Sequence, residues 1–369
     1  MSDKARRLLS FVRLPTQPLL RHLLLAGIAG VVLFLFTTTL SEYDNLQVAT
    51  IATYAIAIAG VSVLTGVSGQ ISIGNGAFMA VGAYAAGLVM EHAHLPLVVP
   101  LLIATAVAAV VGALVGLPAT RLRGPYLAGV TLALALAVQD IPQKYASLFN
   151  GDQGITVSPP TPPSSVLPER WLAWISLLGA LVTMVLLANF LRSRFGRSLR
   201  AVRDDEIAAS IGGLHTARLR VLAFAVSAAA AGLAGGYLAL ITGIVNPTTF
   251  NRFLAIHLLA AMVIGGSGSL AGAWWGAIAI VYVPQWTTTL SGHFSLSSGV
   301  QADLSDALFG LLLILITMLA PSGIQGWLTS LWHLVVERAR GFGARRMPSP
   351  APPVPSSMST PSTAERTST

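Results

Sequence analysis

The chain has 369 residues, of which 54% are hydrophobic and only 10% are charged. A soluble protein of ordinary composition carries about 25% charged residues, so this sequence has too few polar side chains to cover a water-facing surface. The chain contains no cysteine, which excludes disulfide bonds and thiolate metal sites within it. The net charge of +8 could indicate a nucleic-acid partner, but the basic residues cluster between apolar runs, so no such partner is predicted.

Ten apolar runs follow one another along the chain. A helix needs about 20 apolar residues to cross a bilayer, and runs that are long and do not alternate predict helices rather than barrel strands. The sequence therefore predicts an all-α polytopic membrane protein with about ten transmembrane helices, or as few as about eight because several runs are short or rich in glycine. The predicted spans are Arg21–Leu40, Leu46–Thr65, Gly74–Met90, Leu95–Leu117, Pro125–Ile141, Trp171–Leu191, Leu219–Ile241, Phe253–Ile264, Leu270–Val283 and Leu304–Ala320.

The distribution of Lys and Arg predicts how these spans are oriented. With ten spans, all but three of the 22 basic residues fall on the side that holds both termini. Basic loop residues are retained in the cytoplasm, so both termini are predicted to be cytoplasmic. The opposite side collects acidic residues, which are Glu42, Asp44, Glu91, Asp152 and Glu169.

The same pattern predicts how the chain is organised outside the spans. Trp and Leu recur at helical spacing before a run of Arg near the C-terminus, which is typical of an amphipathic helix that binds the lipid interface. The last residues are rich in Pro, Ser and Thr and cannot bury a core, so they are predicted to be disordered. The predicted parts are a cytoplasmic leader (1–20), a transmembrane domain (21–323) with a periplasmic loop (142–170) and a cytoplasmic loop (192–217), an interfacial helix (324–346) and a disordered tail (347–369).

No motif in the sequence supports enzymatic chemistry, a bound cofactor or a bound metal, because phosphate-binding loops, nucleophile elbows and metal-ligand clusters are all missing from it. The spans carry almost no ionisable side chains, and Asp140, Asp303 and Asp306 lie near span ends. Ion-coupled transporters keep such groups inside the membrane, which argues against a stand-alone secondary transporter. His257 lies within a span, where it suits either a functional role or a structural hydrogen bond.

The cytoplasmic segment Arg192–Arg220 carries seven Arg against three acidic residues. Its residues Ser198–Ile211 predict one helix, which Gly212 and Gly213 would end. Ala208 and Ala209 give that helix a small-residue surface that can insert into a groove of another protein. Charge alone favours the simpler interpretation, a surface helix in a basic cytoplasmic loop.

Two further segments place glycine inside apolar sequence. Glycine permits a break or close packing in a membrane helix, and uncharged polar groups can contact a passing solute without trapping it. The first segment is equally compatible with polar cross-links between closely packed helices. The candidates for a translocation pathway are Gly69, Gln70, Ser72, Asn75 and Gly76, and the candidates for a second helix break are Gly265, Gly266 and Gly268.

These stretches resemble one family of membrane proteins. Glu206-Ile207-Ala208-Ala209 with Gly213 resembles the E-x-A-A-x-x-x-G loop of ATP-binding-cassette (ABC) importer permeases. Three further stretches resemble the G-Q-x-S-x-G-x-x-A-F…G-A-Y, R-G-x-Y-L-A…T-L-A and G-G-x-G-S-x-x-G signatures of branched-chain amino acid permeases. They are Leu64–Phe78 with Gly82-Ala83-Tyr84, Arg121–Ala128 with Thr131-Leu132-Ala133, and Gly265–Gly272.

The resemblance runs from about residue 45 to about residue 325 and favours the longer, LivM-like type of permease subunit. Asn75 stands where the pattern has His, and Pro125 where it has a larger apolar residue, so the substrate could differ within the wider family. The resemblance implies an ABC importer permease that translocates leucine, isoleucine, valine or related amino acids. Urea, an amide or another small polar solute is the alternative, as is a stand-alone transporter or channel.

The resemblance also implies partners and a coupling site. In the family this loop forms a coupling helix that docks on the ATPase, while ATP binds to the partner subunits and not to the permease. The implied partners are a shorter LivH-like permease, two cytoplasmic ATP-binding subunits and a periplasmic solute-binding protein. The residues assigned to ATPase coupling are Arg200, Arg203, Asp205, Glu206, Ala208, Ala209 and Gly213.

Overall fold

The computed structural model describes residues 18–332, apart from His94, Arg123, Pro160, Ser165 and residues 294–297. The predicted tail, most of the leader and the second half of the interfacial helix lie outside these residues. The described chain is mostly helical, which confirms the all-α prediction. In chain order the helices are α1 (Pro18–Thr38), α2 (Glu42–Val61), α3 (Asn75–His92), α4 (Val98–Ala119), α5 (Pro125–Lys144), α6 (Ala146–Phe149), α7 (Pro168–Arg192), α8 (Arg194–Asp204), α9 (Glu206–Ile211), α10 (Thr216–Thr242), α11 (Arg252–Gly265), α12 (Gly272–His293), α13 (Ser298–Leu319) and α14 (323–332).

Ten of these helices coincide with the ten predicted spans, and α6, α8, α9 and α14 lie between or after them. Five helical stretches are long and apolar enough to cross a membrane by length and composition, among the residues that the structure describes. α3 falls short of this criterion because polar residues such as Asn75 and Glu91 lower its hydropathy. The five stretches are Glu42–Val67, Val98–Ala119, Pro168–Arg192, Thr216–Thr242 and Ala307–Trp332.

Helix α10 lies at the centre of the fold and packs against α2, α3 and α4. Small residues bring these backbones close together: a Cβ atom on Gly82 of α3 would lie 2.2 Å from the carbonyl oxygen of Gly232 in α10. Likewise, a Cβ atom on Gly235 would lie 1.9 Å from the carbonyl oxygen of Met79. Membrane helices associate through such close packing because lipid offers no hydrophobic driving force between them.

Helix α2 continues into a π-helical turn, Ser62–Val67, before the chain becomes irregular. The turn is closed by the Ser68 backbone N–H, which donates to the carbonyl of Val63 five residues earlier at 3.1 Å. Gly69 then adopts a φ of 74°, a left-handed conformation that favours glycine. The predicted span Leu46–Thr65 therefore ends within a π-helical turn, a feature that often occurs at functional sites.

Contacts between loops sort the helix ends into two groups. At one end, β1 (Ile155–Thr156) pairs antiparallel with β2 (Ile244–Val245), which joins the loop after α5 to the loop after α10. At the other end, backbone contacts join the turn after α2 to the turn between α11 and α12. If successive spans cross the membrane in alternating directions, the first pair of loops lies on one side of it and the second pair on the other. The basic loop α8–α9 then lies on the same side as the second pair.

Candidate functional site

The basic loop contains two helices, so the prediction of one helix over Ser198–Ile211 is wrong. Helix α8 ends at Asp204, and α9 begins at Glu206. Between them Asp205 is extended, and its Oδ1 accepts hydrogen bonds from the backbone N–H groups of Ile207 and Ala208 at 2.9 and 3.0 Å. Asp205 is thus an N-cap, because its side chain satisfies backbone donors that have no partner within the first turn of α9.

The end of α9 agrees with the sequence. The Gly212 backbone N–H donates to the carbonyl of Ala208 at 2.9 Å, and Gly213 has a φ of 83°. Only glycine adopts this left-handed conformation without strain, so Gly213 suits its position after the helix. The role of Gly213 in ATPase coupling stays a prediction.

Helix α8 is amphipathic, with Gly196, Leu199 and Val202 buried against the rest of the protein. The two arginines assigned to ATPase coupling are exposed, and both donate to backbone carbonyls of this chain. The Arg200 guanidinium donates to the carbonyl of Leu191 at 2.8 Å, and that of Arg203 donates to the carbonyl of Gly66. Both arginines thus fasten α8 to the ends of spans, which their charge alone did not predict.

Glu206 forms an ion pair within the chain. Its Oε2 accepts from Arg220 Nη2 at 2.7 Å, and Arg220 Nη1 also donates to the carbonyl of Thr120 at 3.3 Å. Both side chains are partly buried. The pair therefore joins the first residue of α9 to the first turns of α10 and to the residue that follows α4.

Helix α9 exposes two large apolar side chains. Ile207 is 72% exposed and Ile211 is 82% exposed, and residues four apart lie on the same face of a helix. Ala208 is exposed as well, whereas Ala209 is buried. Two isoleucines exposed side by side in a charged loop are typical of a protein-binding surface. The sequence analysis missed both, although their spacing of four within the predicted helix was a usable signal.

The pathway candidates occupy the irregular segment after the π-helical turn and the start of α3. Gln70 is 7% exposed and Asn75 is 1% exposed, and Ser72 is buried as well, whereas Ile71 between them is exposed. The polar side chains therefore point into this chain. Gly69 is exposed, and Gly76 packs against Ala255 of α11, where an added Cβ would lie 3.2 Å from the Cβ of Ala255.

Several of these polar groups link neighbouring elements. Asn75 Oδ1 accepts a hydrogen bond from the Ser227 hydroxyl of α10 at 3.2 Å. The backbone N–H of Ile73 donates to Thr131 Oγ1 of α5 at 3.0 Å. This geometry fits the alternative that the sequence left open, in which polar side chains cross-link closely packed helices.

Two buried atoms of the segment have no hydrogen-bond partner in the described structure: Gln70 Oε1 and Asn75 Nδ2. A buried polar atom without a partner costs about 1–3 kcal/mol, so such atoms are uncommon unless water, a ligand or a second conformation satisfies them. These two amides are therefore the positions where a solute could gain hydrogen bonds. Contact with a solute stays a prediction for all five candidates.

Replacing Gln70 by Ala tests this prediction. The change removes the unpartnered oxygen together with the 2.7 Å hydrogen bond from Gln70 Nε2 to Ser68 Oγ. We expect the uptake rate or the preference among substrates to change by about three- to tenfold, the effect of one hydrogen bond. Radiolabelled uptake by proteoliposomes measures this change. Loss of co-purifying ATPase subunits instead would show that the segment has only a structural role.

The glycines of the two helix breaks contact one another. A Cβ atom on Gly66 would lie 2.3 Å from the backbone nitrogen of Gly268, and one on Gly323 would lie 2.4 Å from the Cα of Gly266. Gly265 faces Gly272 at the start of α12, with 2.0 Å between an added Cβ and its carbonyl oxygen. The two breaks thus form one cluster, and Arg203 connects it to the basic loop.

The described residues contain no group of three or more His, Cys, Asp or Glu side chains that could hold a metal ion. The His257 ring lies edge-on to Phe309, with 4.7 Å between the ring centroids. This contact joins α11 to α13 and suits the structural interpretation of His257.

The long apolar helices, with a basic loop between two of them, indicate a polytopic membrane protein. The family described as "Branched-chain amino acid transport system / permease component" matches residues 45–317, and the chain belongs to this family. The family predicted from the sequence motifs is thereby confirmed. No solved structure matches the chain.

Curated relatives agree with this assignment. The chain is 30% identical over 256 residues to the high-affinity branched-chain amino acid transport permease LivM of Escherichia coli K12, covering 62% of this chain and 60% of LivM. It is 33% identical to LivH of Salmonella typhimurium over 49% of this chain and 54% of LivH. It is 25% identical to BraD of Pseudomonas aeruginosa over 74% of this chain and 92% of BraD. The chain thus spans less than two thirds of the LivM length.

Proposed function

We propose that this chain is the membrane-spanning permease subunit of an ATP-driven importer of leucine, isoleucine, valine or related amino acids. Family membership over residues 45–317 supports the transport role, and relatives named as branched-chain amino acid transport permeases support the substrate class. The observation that supports ATP-driven transport is the exposed apolar face of α9. The Asp205 cap and the Glu206–Arg220 ion pair fix the first turn of this helix.

The proposal includes the partners that complete such an importer. They are a LivH-like permease, two cytoplasmic ATP-binding subunits that hydrolyse ATP, and a periplasmic solute-binding protein. Relatives of both the LivM and LivH types support a pair of permeases. The excess of Arg in the α8–α9 loop supports a cytoplasmic position for that loop and for both termini.

The geometry of α9 suggests how an ATPase could act on this chain. Ile207 and Ile211 offer an apolar face to a groove, while Glu206 and Arg220 join the first turn of α9 to α10 and the end of α4. A helix held in this way transmits a force on its exposed face to the spans and does not deform locally. ATP-driven closure of the two ATPases would then re-tilt the spans and expose the solute to the cytoplasm.

Replacing Ile207 and Ile211 together by Asn tests the docking face. Each change removes an exposed apolar side chain without affecting a hydrogen bond of α9, so folding should be unaffected. We expect co-purification of the ATPase subunits with the permease to fall by about tenfold or more, the loss typical of an apolar hot spot. ATP-dependent leucine uptake in proteoliposomes should fall in parallel.

Ser210→Asn is the matched control, because Ser210 is exposed on the same helix and also becomes Asn. It should keep both the ATPase subunits and uptake. Unchanged ATPase binding by the double isoleucine variant would overturn the proposal that α9 docks on an ATPase.

A further inference from the structure

The π-helical turn at the end of α2 leaves backbone carbonyls that require donors. The backbone N–H of Ser68 satisfies Val63, and the backbone N–H of Gln70 satisfies Leu64 at 3.2 Å. The carbonyl of Gly66 accepts instead from the guanidinium of Arg203, 137 residues further along the chain. A cation at the C-terminal end of a helix is favourable, because the last carbonyls carry partial negative charge.

The side chain of Arg203 also packs tightly against the residue after the turn. A Cβ atom on Gly69 would lie 2.9 Å from the Cγ of Arg203 and 3.6 Å from its Cβ. With Arg203 in place the position has no room for a side chain, and the left-handed φ of 74° at Gly69 adds a cost of about 1–2 kcal/mol for any other residue. Arg203 therefore both donates a hydrogen bond to the π-helical turn and packs against Gly69, where α2 ends and the irregular segment begins.

The opposite side of the same turn contacts the second helix break. Gly66 packs against the backbone of Gly268, so displacement of Gly66 also displaces the turn between α11 and α12. The backbone of Arg203 lies in the last turn of α8, two residues before Asp205, which caps α9. Arg203 is thus placed between the proposed ATPase-docking helix and both helix breaks.

We propose that Arg203 is the positioning residue that transmits movement of the α8–α9 loop to the π-helical end of α2. A π turn contains one residue more than an α turn, so a shift between the two moves the following segment by about 1.5 Å along the helix axis. That segment carries Gln70, Ser72 and Asn75. Because Arg203 is hydrogen-bonded to the carbonyl of Gly66, movement of the α8–α9 loop drives this shift of the π-helical turn. The inference rests on the proposed ATP-driven import, which it deepens.

The first experiment separates transmission from docking. In proteoliposomes that hold the complete importer with its ATPase subunits, Arg203→Met should keep the ATPases bound and ATP hydrolysis active. Leucine uptake should fall by about tenfold, so that more ATP is consumed per leucine, because one charge-assisted hydrogen bond is lost. Arg203→Lys should recover part of the uptake, because its ammonium can still donate to the Gly66 carbonyl.

Arg197→Met is the matched control. Arg197 lies on the same helix and also donates to a backbone carbonyl, but that carbonyl, of Arg192 at 2.9 Å, belongs to the end of α7 and not to the π-helical turn. Its uptake should stay within about twofold of the unchanged chain, the scatter expected for an exposed substitution. Equal ATP consumption per leucine in Arg203→Met and Arg197→Met would overturn the inference.

The second experiment replaces the hydrogen bond by a covalent one. The chain has no cysteine, so Gly69→Cys with Arg203→Cys introduces one thiol pair into it. The Cβ atoms would lie 3.6 Å apart, within the range of about 3.5–4.5 Å that disulfides require. In the reduced form uptake should be low, because the link is missing. Oxidation should raise uptake by about fivefold or more, because the disulfide restores the link.

The remaining outcomes also decide the question. Oxidation that lowers uptake or leaves it unchanged would show that Arg203 and Gly69 do not move together, and would overturn the inference. Failure of the disulfide to form would overturn the proximity on which it depends. Absence of leucine uptake by the unchanged importer would instead contradict the proposed function.

Discussion

Replacing Glu206 by Lys is expected to abolish uptake while the protein still inserts into the membrane. The change places a second cation where Glu206 Oε2 now lies 2.7 Å from the partly buried guanidinium of Arg220. Removing one partner of a partly buried ion pair costs about 3 kcal/mol, which corresponds to a loss of uptake of about 100-fold. The start of α9 would separate from Arg220, so movement of the ATPase would no longer reach α10. Proteoliposome uptake and the yield of membrane-inserted protein measure the two effects.

The charge exchange Glu206→Arg with Arg220→Glu is the control. It restores opposite charges at the same two positions, and the new glutamate would lie near the carbonyl of Thr120, which Arg220 now binds at 3.3 Å. We therefore expect partial recovery of uptake, to about a tenth of the original rate or more. No recovery would indicate that Glu206 acts on the ATPase rather than through Arg220. Full uptake by Glu206→Lys alone would remove Glu206 from the coupling mechanism.

The positions of the spans could be predicted because they depend on local sequence. Trp171–Leu191 was predicted for α7, which extends over Pro168–Arg192, and Phe253–Ile264 for α11, which extends over Arg252–Gly265. Apolar runs of this length are helical wherever they meet lipid. The π-helical end of α2 was not predictable in this way, because the contacts of its residues with Arg203 and Gly268 are distant in sequence.

The coupling loop was predicted in part. Its position and its stop at Gly213 followed from charge and glycine, and the break at Asp205 had a local signal, since Asp is a preferred N-cap. The directions in which the charged side chains point had no such local signal in the sequence. Arg203 reaches Gly66 and Glu206 reaches Arg220 only after α2 and α10 have packed. The resemblance, and not the charge, predicted a partner for this loop; in the fold Arg203 and Glu206 bind groups of this chain, while Ile207 and Ile211 are exposed.

Replacing Gly235 by Ala is expected to disrupt the centre of the fold. Its new Cβ would lie 1.9 Å from the carbonyl oxygen, 2.8 Å from the carbonyl carbon of Met79 and 3.0 Å from the backbone nitrogen of Ala83. All three atoms belong to the backbone of α3, so no side-chain rotation can relieve the overlap. Overpacking against side chains costs about 1–3 kcal/mol, and separating two backbones should cost more than that. We expect little folded protein in detergent, and a thermal midpoint lowered by several degrees in what remains.

Two neighbouring changes make this result specific. An added Cβ on Gly236 would lie 2.9 Å from Leu101 Cδ2, the end of a side chain that can turn away, so Gly236→Ala should be much milder. Gly129 in α5 has no atom within 4 Å of an added Cβ, so Gly129→Ala should be neutral or stabilise the helix by up to about 1 kcal/mol. An added Cβ meets the backbone of α3 at Gly235 but meets nothing at Gly129. Similar thermal midpoints for Gly235→Ala and Gly129→Ala would therefore contradict the close crossing of α3 and α10.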